Sequence, residues 1–243
     1  MKLVKWLHKW LSVLVAIQLF IWLGSGLFFN LMDSNKARGN ENRISNLAVM
    51  KIDHERLLEP SYILSQFKIE KPQKPVNSIK LIHLIDQPYY LLNHHLGLYQ
   101  HFYNEHSLVG AYTGEMKIID RTMAKILAKA TYSGTGNIGV TERISPPIDD
   151  FPKEQNALWR VNFDDALYTS VYIDASSGRV VGHSNDDKRF ADFFFMLHFM
   201  DYGTSGGFNN WQIILFSILT LIFCITGFVW TLDLLIKGRY KIK

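Results

Sequence analysis

Six of the nine histidines fall in two patterns that bear on chemistry. His8 and His198 each follow a leucine, and each precedes a long apolar run, Leu11 to Phe29 and Trp211 to Leu232. An imidazole nitrogen is a good axial ligand for haem iron, and a titratable side chain beside a membrane span is a functional candidate by default. His198 stands within Phe193-Phe194-Phe195-Met196-Leu197-His198-Phe199, an aromatic surround suited to a porphyrin edge. The same side chains equally suit the headgroup zone with no ligand. His94, His95, His101 and His106 crowd a second stretch together with Glu105. Imidazole and carboxylate groups take transition metals, although this spacing matches no specific zinc motif. A solvated Tyr/His-rich hairpin extension is the competing reading.

Other chemistries find no carrier. The sequence has no Gly-x-Ser-x-Gly, no His-Glu-x-x-His and no phosphate-binding glycine loop. Gly134-Thr135-Gly136-Asn137-Ile138-Gly139 matches the dinucleotide pattern only superficially, because it follows helix-like text and not a strand. The pairs Asp149-Asp150, Asp164-Asp165 and Asp186-Asp187 sit at turns and helix starts, where capping explains them. The single cysteine, Cys224, lies in the second apolar run, so no intrachain disulfide is available.

The elements that must position these residues begin with the apolar runs. Each is free of charge over about the 20 residues a bilayer span requires. Lys2, Lys5 and Lys9 precede the first, and Lys237, Arg239, Lys241 and Lys243 follow the second. Cationic flanks stay cytoplasmic, which predicts two spans with both termini inside and the intervening loop outside. The formal net charge of +4 is then a topology signal, and no basic stripe is left to hold nucleic acid. Gly24-Ser25-Gly26 could pass as a signal-peptide cleavage site, but the apolar run continues through Leu27-Phe28-Phe29. Gly24, Gly26 and Gly227, beside Ser or Thr, are candidate helix-packing positions, since small residues let helices approach in lipid.

Between the spans, residues 33–46 read as a polar linker and Ile52 to Phe67 as helical text interrupted at Pro60. Ile79 to Ile85 and Tyr89 to Asn93 read as strands around a turn at Asp86-Gln87-Pro88. Thr122 to Ala130 reads as a helix with Met123, Ile126 and Leu127 on one face, and Ser133 to Gly139 as a loop. Leu158 to Phe163, Tyr168 to Ile173 and Arg179 to Val181 read as further strands, and Asp186 to Met200 as a helix running toward the membrane. The two passages look like copies of one unit. At a constant offset Asp86 falls on Asp165 and Tyr89 on Tyr168, and each copy ends at a turn glycine, Gly114 or Gly178. On that register the histidine-rich stretch is an insertion present in the first copy alone. The expected divisions are residues 1–32 (cytoplasmic N-terminus and first span), 33–75 (linker and helix), 76–145 (first repeat), 146–200 (second repeat and membrane-approaching helix) and 201–243 (second span and basic tail).

The spans repeat each other as well. Leu7-His8 and Trp10 lead to Ser25-Gly26; Leu197-His198, Gly206-Gly207 and Trp211 lead to Thr226-Gly227, with the same Trp-to-Gly spacing. This pattern resembles the opening and closing segments of PepSY-associated transmembrane proteins, and the units ending at Gly114 and Gly178 are similar to PepSY repeats. The resemblance covers nearly the whole chain. It implies an α+β membrane protein in which two transmembrane helices flank a periplasmic domain of two PepSY-like repeats, in the inner membrane of a bacterium. Larger relatives with four spans act in ferric-siderophore reduction, with membrane histidines as haem ligands. The resemblance therefore implies an accessory or electron-transfer role in iron handling, with haem b on His8 and His198. The expected partners are the lipid bilayer, a second copy of the chain or a larger membrane reductase, and a periplasmic protein. Other relatives are linked to peptidase inhibition, which keeps open a membrane-anchored module that binds a protein or peptide without redox chemistry. His8 and His198 should lie on opposite sides of the membrane, so one haem cannot bridge them within a chain.

Overall fold

The computed structural model describes residues 1–44, 51–85, 87–203, 206–207 and 209–239. Asp86, the end of the linker at residues 45 and 46, and Lys241 and Lys243 lie outside the described residues. In chain order the helices and strands are α1 (Lys2–Leu31), α2 (Ser34–Ala37), α3 (Pro60–Glu70), β1 (Ser78–Leu84), β2 (Gln87–His95), β3 (Glu105–Gly110), β4 (Met116–Lys117), α4 (Arg121–Thr131), β5 (Asn137–Ile144), β6 (Leu158–Asp164), β7 (Ser170–Asp174), β8 (Val180–Ser184), α5 (Asp186–Phe199) and α6 (Trp211–Ile236). They form two compact units, one of Met1–Asp33 with Phe190–Lys243 and one of Ser34–Arg189.

In the first unit, α1 and α6 are both long and apolar enough to cross a membrane. Only 17% and 11% of their most apolar windows is buried within the protein, so neither is the core helix of a soluble fold. Their shared seam follows a seven-residue rhythm. Val15, Gln18 and Ser25 are the buried positions of α1, with His8 and Trp22 on the same stripe. Phe216 and Thr226 are the buried positions of α6, with Phe223 and Trp230 in line. Trp22 meets Phe216 edge to face at 5.5 Å, while His8 meets Phe223 near the other end, so the helices pack antiparallel.

The second unit contains two four-stranded antiparallel sheets, β1-β2-β3-β4 and β5-β6-β7-β8. Each sheet is a simple meander preceded by a helix, so the architecture repeats as one helix and four strands. Side-chain alternation builds two layers of core from the first sheet. Tyr89 and Leu108 turn inward to α4, while Tyr90, Leu92 and Val109 turn outward to Ile63 and Phe67 of α3. The second sheet sends Val161, Phe163, Val171 and Ile173 to α4 and Leu158 and Tyr172 to Ile148 on its other side. Helix α4 is thus sandwiched between the sheets.

That sandwich explains a departure from the expected helix face. Ala124, Leu127, Ala128 and Thr131 are the buried positions of α4, while Ile126 is exposed. Two alanines let a helix lie close between two sheets, which a face carrying isoleucine would not. Asp120 caps α4, accepting the Met123 amide at 2.8 Å. Pro60 does not interrupt a helix; it begins α3 at the first turn, where its missing N–H costs nothing. The glycine-rich stretch runs directly into β5, starting at Asn137.

The repeat register also needs correction. Gly114 and Gly178 both occupy the turn between the third and fourth strands of their sheets, with φ of 75° and 72°, a conformation that costs glycine least. Tyr89 and Tyr168 are not equivalent. Tyr89 lies inside β2, the second strand of its sheet; Tyr168 lies in the connection before β7, the third strand, at φ 48°. Of the four histidines, His94 and His95 lie in β2, His106 in β3, and His101 in the connection between them. That connection matches the one between β6 and β7 and is a longer version of it, not an insertion without a counterpart.

Candidate functional site

The two span histidines occupy matching niches in the first unit. His8, on α1, stacks on Phe223 of α6 with ring centroids 4.5 Å apart and planes 8° from parallel, and meets Trp230 edge-on at 5.6 Å. Its Nδ1 lies 3.2 Å from the Phe223 carbonyl oxygen and 3.3 Å from Thr226 Oγ1. His198, near the end of α5, places Nδ1 2.9 Å from Ser25 Oγ of α1 and meets Phe29 edge-on at 5.8 Å. The Leu-His and Ser/Thr-Gly motifs therefore pair crosswise: the histidine of each copy docks at the hydroxyl and glycine of the other.

The hydroxyl groups fix which ring nitrogen carries hydrogen. Ser25 Oγ has one hydrogen and donates it to the Ile21 carbonyl at 2.6 Å. It can then only accept from His198, so Nδ1 of that ring carries the N–H. Thr226 Oγ1 donates to the Phe223 carbonyl at 2.8 Å. His8 Nδ1 thus faces two acceptors and carries the N–H as well. In the neutral ring this leaves the lone pair on Nε2 at both sites. Donation of the other ring N–H to a carbonyl or hydroxyl oxygen is the outer-shell bond that orients a metal-ligating histidine and raises its basicity.

Of the three candidate glycines, Gly227 is the one that makes room for a ring. A Cβ at Gly227 would stand 2.8 Å from His8 Cε1, and one at Gly26 would stand 3.8 Å from His198 Cε1. A Cβ at Gly24 would meet nothing within 4 Å. His8 and Ser25 are separated along α1 by roughly 25 Å at ~1.5 Å per residue. His198 packs on Ser25, so the two imidazoles stand far apart and cannot share one iron. Gln18, midway along α1 and 6% exposed, donates to the Leu197 carbonyl at 3.4 Å. Sequence reasoning passed over it, although a lone amide in an apolar run was a readable signal.

The four histidines of β2, β3 and their connection do not converge. Adjacent strand residues face opposite ways, so His94 turns into the core and His95 to solvent. His94 donates from Nδ1 to the Pro75 carbonyl at 2.7 Å, accepts at Nε2 from Ser107 Oγ at 2.9 Å, and stacks on Phe67. Both of its nitrogens are committed. His95 Nδ1 lies 3.1 Å from the Tyr103 carbonyl. His101 stacks on Tyr99 at 5.6 Å, and His106 is half-buried on β3. Among the described residues, no group of three or more His, Cys, Asp or Glu side chains is placed to hold a metal ion. Glu105 is instead paired with Lys74 at 3.0 Å, and that hydrogen bond holds its carboxyl below the ordinary value. Comparison with protein-family models, curated proteins and solved structures gives no match, so the reading of this site rests on its geometry.

Proposed function

We propose that the chain is a bacterial inner-membrane protein in which α1 and α6 span the bilayer, both termini are cytoplasmic, and the Ser34–Arg189 unit is a periplasmic PepSY-like domain. On this reading it serves iron handling as an accessory or electron-transfer component, with haem b held by Nε2 of His8 and of His198. The observation that supports it is the matched bookkeeping of the two rings: each Nδ1–H is spent on a protein oxygen and each Nε2 lone pair is kept. An antiparallel span pair with one such ring near each end provides a ligand at two depths. Bound haem would supply one-electron transfer at those depths. The protein's own part is to orient the imidazoles through Ser25, Thr226 and the Phe223 carbonyl, and to leave room for the His8 ring at Gly227. A second copy related by a twofold axis along the membrane normal, or a larger reductase, would supply the remaining protein contacts of each haem.

The test is an absorption spectrum of the detergent-purified protein with its single variants. Soret, α and β bands should be present. His198→Ala should remove one haem and His8→Ala the other, while His94→Ala should change neither. A colourless wild type, or full haem content in both variants, would overturn the proposal.

A further inference from the structure

The inner face of the first sheet is longer than the helix that covers it. Helix α4 seals the stretch around Tyr89 and Leu108. Beyond it the same face continues through Leu91 and Asn93 of β2, Lys80 and Ile82 of β1 and His106 of β3, and opens into a cavity of about 410 Å³. That volume lies within the range of small-molecule sites. The lining is aliphatic at Ile82, Leu84, Leu91 and Leu96, and polar and incompletely satisfied at Asn93 and His106.

Two buried polar atoms of the lining, Asn93 Oδ1 and His106 Nδ1, have no hydrogen-bond partner. Asn93 is 7% exposed, and its amide nitrogen is already donated to Ser78 Oγ at 2.7 Å. Its carbonyl oxygen is therefore a bare acceptor. Asn93 and His106 are direct cross-strand partners of β2 and β3, and such side chains stand ~5 Å apart. Burial pushes the His106 imidazole below its ordinary pKa, against the pull of the Asp174 carboxylate, so the ring is neutral near pH 7. A neutral ring can present N–H at Nδ1. Orphaned buried polar groups are costly, and an acceptor and a donor on cross-strand partners at the cavity wall call for a ligand that carries both a donor and an acceptor.

The wall is built in advance. The connection from β2 to β3 is tied to the second sheet's own connector: the Asn104 amide donates to Asn156 Oδ1 at 2.7 Å, and Asn156 Nδ2 donates to the Phe102 carbonyl at 2.7 Å. Arg179 reaches the Gln100 carbonyl at 3.3 Å while paired with the buried Glu154 at 3.1 Å. Ordering a loop on binding costs affinity; here it is already held.

We infer that this cavity is a binding site for a short peptide, taking one backbone amide between Asn93 and His106 and an aliphatic side chain among Ile82, Leu84 and Leu91. The amide N–H donates to Asn93 Oδ1, and the amide C=O accepts from His106 Nδ1–H. A carboxylate cannot serve both atoms, because it has no hydrogen for the asparagine oxygen. The site is independent of the span histidines.

The experiment is equilibrium dialysis of the full chain in nanodiscs against N-acetyl-leucine N-methylamide, with empty nanodiscs as blank and 4-methylpentanoate as the carboxylate of matching side chain. Saturable binding of the amide above the blank is expected. Binding should weaken about tenfold in Asn93→Leu and in His106→Leu, the change expected for one buried hydrogen bond. His95→Ala should bind as wild type. Hydrogen-exchange protection of β2 and β3 in each variant distinguishes a lost contact from a lost fold. Absence of saturable binding, equal binding of the carboxylate, or unchanged binding in both folded variants would overturn the inference.

Discussion

His183 gives the Ser34–Arg189 unit a pH dependence whose size follows from its surroundings. It is 1% exposed on β8, with Nε2 3.0 Å from Thr131 Oγ1. Thr131 donates its own hydrogen to the Ala128 carbonyl at 3.1 Å, so the imidazole is the donor at Nε2. Its Nδ1 is buried with no hydrogen-bond partner. Protonation would place a hydrogen and a charge there with nothing to receive them. Burial, with added repulsion from Arg43, pushes the pKa down to about 4. In the unfolded chain a histidine titrates near ~6.5. The folded value is the lower one, so the unfolded chain binds more protons between the two. Stability is fully present above pH ~6.5 and falls as pH drops toward 4. Between pH 7 and pH 5 the linkage amounts to about 2 kcal/mol, or roughly thirtyfold in the opening equilibrium. The assay is hydrogen exchange by mass spectrometry on peptides from β6 to β8, corrected for intrinsic rates. His183→Gln keeps an N–H for Thr131 and does not titrate, so its protection should be nearly flat over the same window once the smaller, like-signed effect of His106 is subtracted. Asp150 does not intrude. Burial opposes its ionisation, but hydrogen bonds from Tyr172 and Arg189 outweigh burial and hold the carboxyl below the ordinary range. Its contribution is lost only below pH ~4. Equal loss of protection in wild type and variant between pH 7 and pH 5 would refute the reasoning.

Three further outcomes are expected. Asp165 accepts from the amides of Leu167 and Thr169, from Tyr132 at 2.7 Å and from Asn42 at 2.9 Å; Asp165→Ala should cost about 3 kcal/mol by urea denaturation followed by hydrogen exchange, and a loss within ~0.5 kcal/mol would show the loop holds without it. Gly227→Ala should displace His8 and weaken the α1–α6 pair by about 2 kcal/mol in SDS titration, whereas Gly24→Ala should be neutral or stabilising; equal effects would mean that the ring is not seated where the geometry puts it. Alkaline phosphatase fused after Asp120 should be active in a bacterial host and inactive when fused at Lys243, and the reverse would overturn the orientation proposed from the flanking lysines.

Much of the architecture was readable because it rests on periodicity and length. The two apolar runs became α1 and α6, and alternating text became paired strands in two antiparallel sheets. The register of the repeat was not readable from matched residues. Asp-x-x-Tyr recurs, but turn residues recur wherever antiparallel strands are joined, so the pattern cannot say which turn of a meander it marks. Gly114 and Gly178 carried the true equivalence because a positive φ is a backbone demand tied to one position in the fold. The burial of Ala124 and Ala128 was equally hidden. Hydrophobicity alone ranks Ile126 above alanine, and only the presence of a second sheet on the far side of α4 makes small size the deciding property.

The histidine niches show a different limit. The sequence displays two copies of Leu-His followed by Ser/Thr-Gly, and the simplest reading lets each histidine serve its own copy. Antiparallel packing forbids that. A helix that begins beside His8 carries its Ser25-Gly26 to the far end of the pair, and its partner brings Thr226-Gly227 back to the near end. Crosswise pairing is then the geometric consequence of two copies running in opposite directions, and it was derivable once both termini were placed on one side. The tautomers were not derivable, because they depend on where each hydroxyl sends its single hydrogen. Ser25 and Thr226 both send it back along their own helices, to Ile21 and Phe223. That back-bonding is the ordinary habit of Ser and Thr inside a helix; here it turns both hydroxyls into acceptors, and so leaves the lone pair of each neutral ring on Nε2.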